Sequence, residues 1–167
     1  MYGDDHDRAV RPRGSGGHAE FEALAEEGRR LQDWDLVAGA YEARGTAFLK
    51  LRRWADSAAS LRESLRLAWD HLELQAALYA LWNIPPALAR LGRAELAAQT
   101  MGCVEAQWQQ RYGAFDRRDR RDLRRLRRFA RALLGRDAAA EAWRRGAGLA
   151  LGDAVRQVLQ AAPTDTP

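Results

Sequence analysis

Between its two polar ends, this chain of 167 residues places apolar side chains at intervals of three and four, broken only by short polar or glycine-containing connections. That interval is the period of helices with one buried face. Ala, Leu, Arg and Glu dominate while proline is limited to five residues, so local preference supports the same reading. The expected fold class is all-α. About eight helices fit, near 19–32, 35–51, 54–70, 72–91, 93–111, 116–134, 137–148 and 151–160. Connections this short make consecutive helices antiparallel neighbours, which predicts a row of helical hairpins rather than a bundle with long crossovers. Asp35 and Asp56 stand where helix starts want an acceptor or a negative charge, and Gly92, Gly113 and Gly135 stand where helix ends want positive φ.

The domain expected from this pattern covers 18–160. Residues 1–17 mix acidic, Arg-Pro and Gly-Ser segments with almost nothing apolar to offset the entropy of ordering, so they read as a flexible leader, and 161–167 reads as a disordered tail. No apolar run approaches the roughly 20 residues of a membrane-spanning helix, and the first residues lack the apolar stretch of a signal peptide. The lone Cys103 fits a reducing compartment and a cytoplasmic location, and its setting among Ala98, Met101 and Val104 reads as a buried small hydrophobe.

The helical pairs share a recurring pattern. In its best copy Tyr41, Arg44-Gly45, Phe48, Trp54, Ser57, Leu61, Ser64 and Leu65 follow a sequence of large, small, large, aromatic, small and large side chains. Gly45 and Ser57 let two helices approach, and Tyr41, Phe48, Trp54 and Leu61 fill the space around the contact. A looser copy runs through Leu81, Leu88, Leu91-Gly92, Ala97, Met101 and Val104, with Pro85 where the small residue belongs, and a partial one through Phe21, Leu24, Leu31 and Trp34. The pattern resembles the tetratricopeptide repeat, which implies a short α-solenoid of stacked antiparallel hairpins. Further on, Leu133-Leu134-Gly135, Ala142-Trp143, Gly146, Leu149, Leu151, Ala154-Val155 and Leu159 resemble the closing segment of the helical-repeat region of large bacterial signalling ATPases and transcriptional regulators. Ala150 and Gly152 replace the Ser and Glu expected at the start of its last helix.

No phosphate-binding loop of the G-x-x-x-x-G-K-[ST] type occurs, so the ATPase motif of those larger relatives is missing. His6, His18 and His71 lack partners at metal-ligand spacing, although His6 with Asp4, Asp5 and Asp7 could grip a cation weakly. The serines have no nucleophile-elbow context. The chain is therefore expected to be no enzyme and to need no metal or cofactor.

Two surfaces are candidates for binding. By the tetratricopeptide resemblance, the groove lined by the first helix of each hairpin would present Glu42, Thr46, Leu49 and Lys50 from one copy and Tyr79, Trp82 and Arg90 from the next. Beside it, neither Pro85 nor Pro86 donates a backbone hydrogen bond, so the helix should break there, with Asn83 placed to cap the restarted segment. The carbonyls of Leu81 and Trp82, freed of helical donors, are then candidates to accept from a ligand. The second surface is the segment from Asp116 to Arg131, with nine arginines, Arg117, Arg118, Arg120, Arg121, Arg124, Arg125, Arg127, Arg128 and Arg131, against three aspartates. Leu123, Leu126, Ala130, Leu133 and Leu134 trace its docking face. Local pairs of Asp116 with Arg120, Asp119 with Arg118 or a neighbouring helix, and Asp122 with Arg125 would leave about six cations unmatched. Such a face is either solvated or binds phosphates or an acidic protein.

The expected function is a protein- or peptide-binding module, and the resemblance implies the regulatory part of a bacterial signalling or transcription-control system. The alternative is a nucleic-acid-binding helical protein using the arginine-rich helix. No membrane partner is expected, and a short array has exposed ends that can pair with a second copy.

Overall fold

The computed structural model describes residues 16–161 and contains, among them, nine α-helices and no strand. They are α1 (Gly16–Leu31), α2 (Trp34–Lys50), α3 (Trp54–Asp70), α4 (Leu74–Asn83), α5 (Pro85–Arg90), α6 (Ala94–Tyr112), α7 (Arg117–Leu134), α8 (Arg136–Ala147) and α9 (Leu151–Gln160). The first helix begins inside the span expected to be a leader. The rest of that leader, including Asp4, Asp5, His6 and Asp7, and the tail from residue 162 lie outside the described residues. No helix among the described residues is long and apolar enough to cross a membrane.

Local chemistry sets the breaks. Gly92, Gly113 and Gly135 have φ of +77°, +83° and +83° at the ends of α5, α6 and α7, conformations that glycine adopts without steric cost. At the start of α2 the cap is Asp33, whose side chain accepts from the Leu36 N–H at 3.0 Å; Asp35 sits one step inside, in the first turn. Asp116 caps α7 in the same way, accepting from the Asp119 N–H at 2.7 Å. The expected helix 72–91 is two pieces. It breaks at Ile84, and Pro85 and Pro86 open α5, where their missing N–H groups cost least. Asn83 does not cap the new helix; its amide donates to the Glu42 carboxylate at 2.8 Å and to the Tyr79 carbonyl at 3.0 Å.

Helices α2 and α3 form the most intimate pair in the first half of the chain. A Cβ at Gly45 would lie 2.5 Å from Leu61 Cγ, so only glycine admits the buried Leu61 at that depth. Three hydroxyls of α3 then donate to carbonyls of α2: Ser57 to Gly45 at 2.8 Å, Ser60 to Tyr41 at 3.0 Å and Ser64 to Ala38 at 2.8 Å. Ser57 and Ser64, expected as small packing residues, thus also form with Ser60 a hydrogen-bonded ladder between helices.

The second half departs from a simple row. Helix α6 packs chiefly on α8 and much less on α7, which lies between them in the chain. The cause is a glycine crossing: a Cβ at Gly102 would sit 2.0 Å from the Trp143 carbonyl oxygen, and one at Gly146 would sit 1.9 Å from that of Gln99. Two backbones therefore touch with no side chain between them. Helix α9 then returns to α6 and α3, where the Arg62 Nε donates to the Val158 carbonyl at 3.1 Å. Gly152 faces the Trp69 ring, and a Cβ there would approach it to 3.2 Å, which accounts for a small residue where the resemblance led one to expect Glu.

Helix α7 is the least embedded long helix of this half. Only Leu123 and Ala130 are buried; Leu126 and Leu134 are half-buried, and Leu133, expected on the docking face, is 47% exposed. The partial repeat at the start is similarly open, with Leu24 and Leu31 exposed and Trp34 stacked on His71 at 3.9 Å between ring centres.

Candidate binding channel

Helix α7 lies across from the first helices of the preceding two hairpins, and the space between them is an open channel of about 800 Å³. One wall comes from α2, through Thr46, Leu49 and Lys50. The floor comes from Trp54 at the start of α3 and from Trp82, Asn83, Pro86 and Arg90 around the α4–α5 break. The opposite wall is α7, through Asp122, Arg125, Leu126, Arg128 and Phe129. Trp82 and Arg90 border the same space although they lie on separate helices.

Electrostatics and ring chemistry are mixed within the channel. Lys50, Arg90, Arg125 and Arg128 supply four cations against the single carboxylate of Asp122. The Arg90 guanidinium stands 5.6 Å from the centre of the Trp54 ring and 5.1 Å from that of Phe129, so one cation spans the channel between two aromatic faces. Trp82 belongs to an aromatic cluster with Trp108 (6.2 Å between centres) and Phe115 (5.6 Å), which fixes its ring from behind. The Thr46 hydroxyl donates to the Ala43 carbonyl at 2.9 Å.

Five of the seven groove residues expected from sequence, Thr46, Leu49, Lys50, Trp82 and Arg90, thus share one cavity. The other two do not join it. Glu42 and Tyr79 line a smaller neighbouring recess with Asp35, Gln75 and Ser64. There burial pushes the Glu42 carboxyl above the usual carboxylate range. Sequence reasoning treated the groove and the arginine-rich helix as two places, yet Arg125 and Arg128 close the groove from the far side. It also passed over Trp54 and Phe129 as ligand contacts. Their aromatic character was the available signal, but a ring in a helix is more often core than binding surface.

On α7 the expected local ion pairs are not formed. Asp116 is engaged as a cap, Asp122 faces the channel, and burial, followed by the neighbouring Asp116 and Asp122, raises the Asp119 carboxyl. Among the described residues, the ion pair made by this helix joins Arg127 to Glu105 of α6 at 2.5 Å. The same Glu105 accepts from the Trp143 indole N–H at 2.7 Å, and the Arg127 guanidinium lies 4.8 Å from the Trp143 ring centre. This three-residue cluster ties α6, α7 and α8 together.

No group of three or more His, Cys, Asp or Glu side chains among the described residues is arranged to hold a metal. Cys103 is buried, and burial pushes its thiol up to about 11, far from the thiolate form that a nucleophile requires. In comparisons with known proteins, no family model, no curated protein and no solved structure matches the chain.

Proposed function

We propose that the protein is a helical interaction module of tetratricopeptide type that captures an extended peptide segment of a partner protein in the channel between α2, α4–α5 and α7. The observation that carries this reading is the convergence of Thr46, Leu49, Lys50, Trp82 and Arg90 on one open cavity of about 800 Å³. A groove of that character, with aromatic anchors and a cationic rim, suits a chain whose side chains alternate between apolar contact and charge. The excess of cations selects an acidic segment. The reading assigns no reaction to the chain and places it in the cytoplasm as a regulatory part of a bacterial signalling system.

The test is selection of binding peptides from a random library with the full chain as bait, followed by titration of the selected peptides against variants. Trp82→Ala and Arg90→Ala should each weaken binding by roughly tenfold or more, as central contacts do. The double variant Pro85→Ala, Pro86→Ala should also bind less tightly, because Pro86 lines the channel and the variant removes its ring. Selected peptides indifferent to all of these changes would place recognition elsewhere.

A further inference from the structure

Helix α7 presents a second surface that meets the channel only at Arg128. Arg117, Arg121, Arg124, Arg128 and Arg131 follow one another at steps of four and three residues, so on a helix of 3.6 residues per turn they form one stripe. The buried Leu123 and Ala130 lie on the opposite side. At a rise of about 1.5 Å per residue, the stripe runs for about 21 Å. All five residues are exposed, and among the described residues none of them has a carboxylate within ion-pair distance. Several exposed arginines elsewhere are paired, Arg30 with Glu27, Arg53 with Asp56, and Arg66 with both Glu63 and Asp70, whereas the unpaired ones outside α7, such as Arg52 and Arg136, stand apart in the chain and form no row. Aspartates are present on α7, but one is used as a cap, one faces the channel, and Asp119 is partly buried.

We propose that this stripe binds the phosphate backbone of double-stranded nucleic acid. A duplex carries one negative charge per about 1.7 Å of its axis, so a straight row of five guanidinium groups meets enough phosphates to engage every one of them. Guanidinium groups suit phosphate oxygens because they donate in pairs. A single strand is the poorer match: binding it tightly calls for rings on which bases stack, and the one ring of α7, Phe129, is turned into the channel. Contacts confined to phosphates position a duplex without reading its sequence, so recognition through this face is independent of base composition.

The test is fluorescence anisotropy of the full chain with a labelled DNA duplex. Five phosphate contacts predict a slope of log affinity against log salt of about −4.5, or about 500-fold weaker binding between 50 and 200 mM salt. The variant Arg117→Gln, Arg121→Gln, Arg124→Gln leaves the channel wall intact and should reduce the slope by about 2.7. Glutamine keeps helix propensity close to that of arginine, so the helix survives the change. A control with the same loss of charge on other elements, Arg30→Gln, Arg52→Gln, Arg156→Gln, should leave the slope unchanged. The proposal is overturned if the duplex is not bound at low salt, or if the control loses as much as the stripe variant. It is overturned equally if polyglutamate of matched charge binds as tightly as the duplex, since the partner is then an acidic protein. Failure of this test leaves the channel untouched, because none of the three substituted arginines of the stripe lines it.

Discussion

Helices α3 and α7 have nearly the same length, 17 and 18 residues, and both carry apolar stripes and arginines, yet the fold uses them in opposite ways. Helix α3 buries eight residues against its neighbours, donates three serine hydroxyls to α2, and pairs Arg53 and Arg66 with carboxylates on its own surface. Helix α7 buries two, is held through the Arg127–Glu105–Trp143 cluster, and leaves its outer arginines without carboxylate partners among the described residues. Burial and pairing have been satisfied in the first helix and forgone in the second. The difference separates an element that makes the structure from one that the structure displays.

That contrast can be broken most directly at the two buried leucines. Leu61→Ala should cost about 3 kcal/mol in urea unfolding, since the side chain is fully buried beside Gly45, which has nothing to fill the cavity. Leu123→Ala should cost about 2 kcal/mol, nearer the low end for buried leucine, and faster amide exchange should be confined to α7. Equal losses spread over the whole chain in both variants would mean that α7 is as integral as α3. One step down in size, Ser57→Ala removes a buried hydroxyl and its bond to the Gly45 carbonyl, which keeps its own helical donor, for an expected loss of about 1 kcal/mol. A neutral result would show that the ladder is incidental to close packing.

On the α7 side, Arg121→Gln with Arg124→Gln should change unfolding free energy by no more than about 0.5 kcal/mol, because exposed residues without partners contribute little to folding. A large loss would make the arginine face structural. The smallest effect is expected at Glu42. Its carboxyl is raised by burial, so the folded state holds the proton more tightly than the unfolded chain does, and the native state weakens as pH rises through that raised value. Glu42→Gln keeps an acceptor for Asn83 and should therefore melt slightly higher than the parent at neutral pH. The gap should close below the ordinary carboxylate range, near pH 4; thermal melts at the two pH values decide it.

Much of the scaffold was legible because it is local. Helical period, the glycines at positive φ and the proline break each depend on a few neighbouring residues, and Ser57 and Ser64 could be recognised as small where two helices meet. What was not legible depends on register between distant elements. The acceptors of the serine hydroxyls lie 12 to 26 residues away in sequence. Gly102, in the middle of a helix, reads as a weak helix former until Trp143 is placed against it. The merging of groove and basic helix into one channel needs α7 to fold back opposite α2 and α5, a placement no periodicity encodes. Of the channel, the wall from the first helices was anticipated and the wall from α7 was not.

The buried Cys103 gives the molecule a practical transparency. Its thiol, raised to about 11 and enclosed by neighbouring side chains, should not react with maleimides at neutral pH, so the native chain is already a silent background for labelling. A pair of cysteines introduced at exposed sites flanking the channel would be the only ones modified, and spin labels there could follow the width of the channel without first removing a native residue from the core.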